Sequence, residues 1–324
     1  MKETLSVIFI MTFSLMYGFG QQNKEPAPVE KEGKFGYSDE KGNMVVDYIY
    51  DFAGSFTENL ARVKKDKLWG YISPDGEIKV DFLYDYAGVF SDSLAAVKKK
   101  GKFGFISYDG TVVIDFQYER AGQFSQGLAP VRMDEKWGYI NKKNELIIKY
   151  KYDEAGPFEN GFAQIEKADK TGFVNLEGKQ VVPNKYDGAG DFSDGRAAVK
   201  LDRKWGYIDE TGKVVIDFLY FTAEPFSEGL AVVSTENRAG YIDKEGKLVV
   251  DYRFDYAHRF INGVAFVTRD GKATYIDKTG TPVSGQWYDK AEPFDMEHKG
   301  MAKVVAGDNA FYIDRQGKCV KDCP

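Results

Sequence analysis

Glycine returns at one fixed interval through most of this chain. Gly36, Gly70, Gly104, Gly138, Gly172, Gly206 and Gly240 stand 34 residues apart, and the column continues as Thr274 and then, after a three-residue insertion, as Phe311. A phenylalanine column keeps the same step from Phe56 to Phe260 and ends at Phe294. A fixed period of this size means one supersecondary unit copied in tandem, so the fold of the unit dictates the fold of the chain.

One copy, residues 69–102, reads as short aromatic or β-branched runs bounded by Gly, Asp, Asn or Ser, which is a strand-and-turn pattern. The first turn closes on Gly42 and its successors, with Asn144 as the sole exception, and a short polar residue precedes each by three positions. That is type I turn chemistry followed by a left-handed residue. We call it the glycine-turn hairpin; it occurs nine times. A second hairpin turns three residues after each Phe of the column, at Asn59, Ser93 and then Gly127 onward, and occurs eight times. Two alanine columns, starting at Ala53 and Ala61, predict places where neighbouring backbones approach too closely for larger side chains. The unit is therefore expected to be two antiparallel hairpins in an all-β chain.

These residues carry a resemblance. Lys136-Trp137-Gly138-Tyr139-Ile140 and Lys204-Trp205-Gly206-Tyr207-Ile208 resemble the core of the WG (KWG) repeat family of bacterial proteins, and Leu68-Trp69-Gly70-Tyr71-Ile72 matches without the lysine. Elsewhere the tryptophan is replaced, by Phe35, Phe103, Thr171 or alanine. The resemblance implies an all-β repeat protein, often exported, with no shared enzymatic activity and no catalytic residues to transfer.

Two architectures suit such a unit. The favoured one is an open superhelical array, because the unit is shorter than a typical propeller blade of ~40–45 residues and the glycine turn occurs once more than its partner. The alternative is an eight-bladed β-propeller. The array is expected over residues 35–318, as eight units and a terminal half-unit, with 319–324 as a C-terminal tail.

Residues 1–20 read as a secretory signal peptide: Leu5 to Tyr17 is apolar apart from Ser and Thr, and Gly18 and Gly20 are small enough for cleavage before Gln21. A short uncleaved anchor is the competing reading, since Glu3 offsets Lys2. No Cys follows the apolar stretch, which argues against a lipoprotein anchor, and no transmembrane segment is expected in the mature chain. Residues 21–34 are expected to be a polar, extended linker. Cys319 and Cys323 are the only cysteines, either bridged to each other or both free.

Classical enzyme machinery is missing from the sequence. The histidines are His258 and His298, no glycine-rich phosphate loop precedes a helix, and the Asp-x-x-Gly turns are explained by turn chemistry rather than calcium binding. With 44 basic and 50 acidic residues interspersed, nothing calls for nucleic acid. No cofactor or resident metal is expected. Two departures from regularity are the candidate binding sites. The column Gly54, Gly88, Gly122, Gly156, Gly190 becomes Glu224, His258 and Glu292, with His298 in the nearby insertion. That change supplies acid–base groups or metal ligands, or marks a solvated edge where the glycine requirement has relaxed. Lysines also cluster in equivalent links: Lys64, Lys65 and Lys67, then Lys98, Lys99, Lys100 and Lys102. They are a solvated turn or a patch for an acidic polysaccharide, lipid headgroup or protein. Phe52, Tyr86, Tyr256 and Trp287, at variable positions, are candidate stacking platforms for sugars or half-buried packing residues.

The leading expectation is an exported, non-enzymatic scaffold, in the periplasm or at the cell surface, that binds a protein or glycan over an extended surface. The alternatives are a glycan hydrolase working through Glu224 and Glu292 and a purely structural envelope component.

Overall fold

The computed structural model describes residues 25–324 apart from 293 and 295–299. Among the described residues every regular element is a β-strand, and no helix is long and apolar enough to cross a membrane. The strands form nine antiparallel sheets, each pairing its strands in chain order. The first holds β1 (Ala27–Lys31), β2 (Lys34–Ser38) and β3 (Met44–Tyr50). The second sets the full pattern with β4 (Phe52–Ala53), β5 (Ala61–Lys65), β6 (Leu68–Ile72) and β7 (Ile78–Tyr84). The signal-peptide reading of 1–20 and His298 lie outside the described residues.

Each full sheet contains three tight hairpins, not two. The link between β5 and β6, read from sequence as a lysine-rich connector, is a two-residue turn with Asp66 and Lys67 at φ 51° and 72°. Positive φ at both central positions is the type I′ geometry, whose usual Asn-Gly signature is missing here. The turn after the Phe column is of the same kind, with Glu58 and Asn59 at φ 49° and 64°. The third is the glycine turn, where Gly76 sits at φ 86° and its N–H donates to Ser73 O at 2.9 Å.

This phasing explains the unequal hairpin counts: the first sheet lacks only the short leading strand. It also corrects both ends. Ala27–Lys31, placed by sequence in a linker, is extended but paired with β2. Cys319–Lys321, placed in a tail, pairs with Asn309–Ile313, and Cys319 is disulfide-bonded to Cys323. The first eight sheets are joined in series by single residues, such as Asp51 between β3 and β4 and Asp85 between β7 and the next strand, Tyr86–Ser91, whereas residues 277–289 separate the eighth sheet from the ninth.

The glycine column is needed because the fourth strand of each sheet bulges over it. Pairing of β6 with β7 shifts register around Gly70. A Cβ on Gly36, Gly70, Gly104, Gly138, Gly172, Gly206 or Gly240 would lie 2.4–2.6 Å from a carbonyl oxygen of that strand. In the eighth sheet Thr274 takes the position, and only three strands form; its hydroxyl donates to Gln286 O at 2.8 Å.

Neighbouring sheets meet through one repeated contact set. The aromatic residue after each glycine stacks on the Phe of the next sheet, from Tyr37–Phe56 at 5.1 Å to Tyr275–Phe294 at 4.5 Å between ring centroids. Such buried aromatic pairs contribute about 0.5–1.5 kcal/mol beyond their area. The alanine column from Ala61 to Ala302 is almost fully buried against these rings, whereas the column from Ala53 is closed only at some copies: Ala121, Ala155 and Ala189 are half-buried. At the exposed edge the basic residue that opens the motif pairs with the acidic junction of the next sheet. Lys34–Asp51, Lys136–Asp153 and Lys170–Asp187 lie at 2.5–2.6 Å. Each lysine holds its carboxyl below the ordinary range, though exposed pairs like these add little stability.

Gly138→Ala should destabilise the protein by about 1–3 kcal/mol through this overpacking, read as a lowered midpoint in urea unfolding; an unchanged midpoint would remove the glycine requirement. The buried tyrosines give a second expectation. Burial raises the phenol pKa of Tyr37, Tyr71, Tyr139, Tyr207 and Tyr241 above its ordinary value. Unfolded, each ionises near pH ~10; folded, each retains its proton. Stability is therefore complete below about pH 10 and falls as pH rises beyond it, so the melting temperature should drop steeply there and less steeply in Tyr139→Phe.

Candidate functional site

The Glu224–His258–Glu292 column is fixed by its backbone. Glu224 N–H donates to Val232 O and His258 N–H to Phe266 O, both at 2.9 Å. Their carbonyls accept from the buried tyrosines of the preceding sheet: Tyr207 Oη to Glu224 O and Tyr241 Oη to His258 O, both at 2.8 Å, and Tyr275 Oη to Glu292 O. The glycine copies do the same, as Tyr139 Oη to Gly156 O at 2.8 Å. Since main-chain atoms make these bonds, the side chain is free to vary, and all three ionisable ones are exposed. His258 Nε2 lies 3.1 Å from Tyr256 Oη, and its ring packs edge-on to Tyr256 and Phe266. Among the described residues, no hydrogen bond or ion pair joins Glu224, His258 and Glu292, and no cluster is placed to hold a metal.

The lysine cluster is divided by strand geometry, because successive side chains point to opposite faces. Lys98 Nζ lies 5.6 Å from the Phe103 ring centroid, while Lys99 Nζ lies 5.9 Å from that of Tyr84. Lys100 occupies a turn with φ 51°. Lys64 repeats the Lys98 arrangement, 5.6 Å from the Trp69 ring.

These lysines stand beside a continuous aromatic ladder. Phe35, Phe52, Trp69, Tyr86 and Phe103 touch in series, with centroid separations of 6.0, 5.2, 6.4 and 5.7 Å. Each step is 17 residues, the same offset that the hydrogen bonds Tyr37–Gly54 and Tyr71–Gly88 span between successive sheets. The next two positions are Arg120 and Trp137, which border a shallow cleft of about 370 Å³ with Tyr86, Lys98 and Phe103. Arg120 is register partner to Arg132, as Phe52 is to Lys64 and Tyr86 to Lys98. Arg62 bridges two rungs, with its guanidinium 5.7 Å from Phe52 and 5.6 Å from Trp69. The same row turns acidic in the fifth sheet, where Glu154 faces Glu166 beside a second cleft of about 360 Å³ that also holds Glu159 and Asp191. Desolvation, then the charge of Asp191, raises the Glu159 pKa.

The stacking platforms expected from sequence thus separate. Phe52 and Tyr86 are rungs, Tyr256 holds the equivalent place in the eighth sheet, and Trp287 packs instead on Phe254 and beneath Arg269. Arg62, Arg120 and Arg132 were not singled out from sequence, and Trp137 only as part of the repeat motif; the 17-residue spacing of the rungs is the signal that finds Arg120 and Trp137.

The chain belongs to the WG containing repeat family, whose model matches seven times in tandem at 35–69, 69–103, 103–137, 137–170, 172–205, 205–238 and 240–272. No curated protein sequence matches it. Among solved structures, it is similar to a eukaryotic initiation factor at 10% identity and TM-score 0.57, over 90% of this chain and 94% of that one, a likeness of fold alone. The dihydro-heme d1 dehydrogenase NirN aligns at 13% identity and TM-score 0.39, over 83% of this chain and 75% of that one.

Because backbone atoms hold the Glu224 and Glu292 positions, replacing both residues by alanine should change unfolding free energy by less than about 0.5 kcal/mol. A larger loss in urea titration would assign their side chains a structural role.

Proposed function

We propose that this protein is an exported, non-enzymatic scaffold that binds a protein or glycan partner over an extended surface. The observation that carries the reading is the contrast between columns. Buried positions keep one residue type across most sheets, whereas the ladder row changes from aromatic rungs to Arg120 and, past the buried Trp137, to Glu154 along the array. Repeat proteins use such surfaces for recognition.

The open superhelical shape forms part of this proposal. Support comes from the end sheets, whose outer faces resemble caps. Val29 pairs with Gly36 as Val63 pairs with Gly70, yet Val29 is half-buried and Val63 fully buried. Ser38 stands where the second sheet has buried Ile72, and Tyr312 is half-exposed where Tyr71 is buried. Polar, partly open end faces are what a terminated array needs.

The test is binding of the purified protein to glycan arrays and to defined envelope proteins, alongside turnover assays on glycan substrates. Saturable binding without release of reducing sugar is the expected result. Turnover with no binding partner would overturn the scaffold reading. Recovery of the tagged chain inside the cell with residues 1–20 intact would overturn export.

A further inference from the structure

We propose that the ladder of the first four sheets is the binding track for an acidic polysaccharide, with sugar rings laid on Trp69, Tyr86 and Phe103 and their anionic groups on Lys64, Lys98, Arg120 and Arg132. The inference deepens the scaffold reading and rests on it.

The strongest support is how the cations are used. Basic residues at the motif start are neutralised by the next sheet, as in Lys136–Asp153 and Lys272–Asp289. Among the described residues, the ladder cations Lys64, Lys98, Arg120 and Arg132 have no carboxylate within ion-pair distance. Arg120 and Arg132 are register partners on one sheet, a like-charged juxtaposition that disfavours the unliganded state. An anion placed between them removes that repulsion. Glu119, the acidic residue of the same cleft, has a carboxylate oxygen 3.2 Å from the donating N–H of Glu135.

The aromatic part selects the class of anion. Partly exposed rings with a cation over them, Lys64 at Trp69 and Lys98 at Phe103, pair an apolar surface for sugar C–H groups with a positive charge for carboxylates or sulfates. Tyr86 is 41% exposed, the most open of the three rings. The acidic row at Glu154 and Glu166 then limits the track, because an anionic chain meets repulsion at the fifth sheet. A short positive segment on a chain of net charge −6 suits a carbohydrate engaged over a few residues better than a long phosphate backbone.

The test is affinity electrophoresis and calorimetry of the full chain with polygalacturonate, dextran sulfate and neutral dextran. Polygalacturonate or dextran sulfate should bind, and dextran should not. Comparison of the two anionic probes separates carboxylate from sulfate recognition. Binding should weaken as salt rises from ~10 mM to 1 M, where the Debye length falls from about 30 to 3 Å. Tyr86→Ala, Lys98→Glu and Arg120→Glu should each lower affinity on the order of fivefold or more, and Glu154→Gln should not. Circular dichroism melts identify any variant that fails to fold, and Arg132→Gln then serves as the substitute. Acidic-glycan binding untouched by all of these variants would overturn the track while leaving the scaffold reading intact. Failure of both anionic probes, with a protein or single-stranded oligonucleotide bound through the same residues, would overturn the ligand class. Failure of every binding assay would remove the scaffold reading itself.

Discussion

The structure depends on a close crossing of main chains. In each regular sheet the fourth strand bulges over the third at a point where no Cβ fits, with carbonyl oxygens 2.4–2.6 Å from where one would stand. The crossing aims the following aromatic residue into the next sheet, where it stacks on Phe and, when it is tyrosine, donates its hydroxyl to a main-chain carbonyl. Where glycine gives way to Thr274 the fourth strand is absent, and where it gives way to Phe311 that strand shrinks to Cys319–Lys321. The glycine turn is in place in both, and Tyr275 after Thr274 still stacks on Phe294 of the next sheet, so the crossing governs the outer strand more than the stack.

A second consequence concerns where variation is allowed. Between sheets the invariant contacts are buried rings, alanine and main-chain polar atoms. The hydroxyl of Tyr241 needs only the carbonyl of residue 258, so His258 serves as well as glycine does at residue 156. Similarly, the position that opens each short leading strand accepts Phe52, Arg120, Glu154 and Gly188 alike. Scaffold and recognition surface thus change independently, although every sheet contributes to both.

Much of this was legible in the sequence because it rests on residue types with few alternatives. The glycine turns, with Asn144 at φ 63° as the one substitute, declared themselves through backbone conformation. The Phe column declared itself through bulk. The hairpin between the second and third strands of each full sheet did not, because Asp66-Lys67 and Asp202-Arg203 adopt positive φ without glycine, held by strand pairing on both sides rather than by local preference. The lysine run hid the site for a related reason: adjacent lysines belong to opposite faces, so the relevant neighbours are Lys64 and Lys98, one unit apart. Glu224, His258 and Glu292 drew notice as chemistry, although the position is constrained only through its main chain.

The single-residue junction has a further implication for how such a chain grows. The ladder advances by 17 residues, half of the repeat, and from the first sheet to the eighth a single residue, such as Asp51 or Asp85, separates one sheet from the next. Duplication of one unit would insert a complete sheet and two more rungs without shifting the phase of any rung already present. Surface length is then a heritable quantity that lengthens in whole steps, and each new copy is free to acquire its own charge while its predecessors keep theirs.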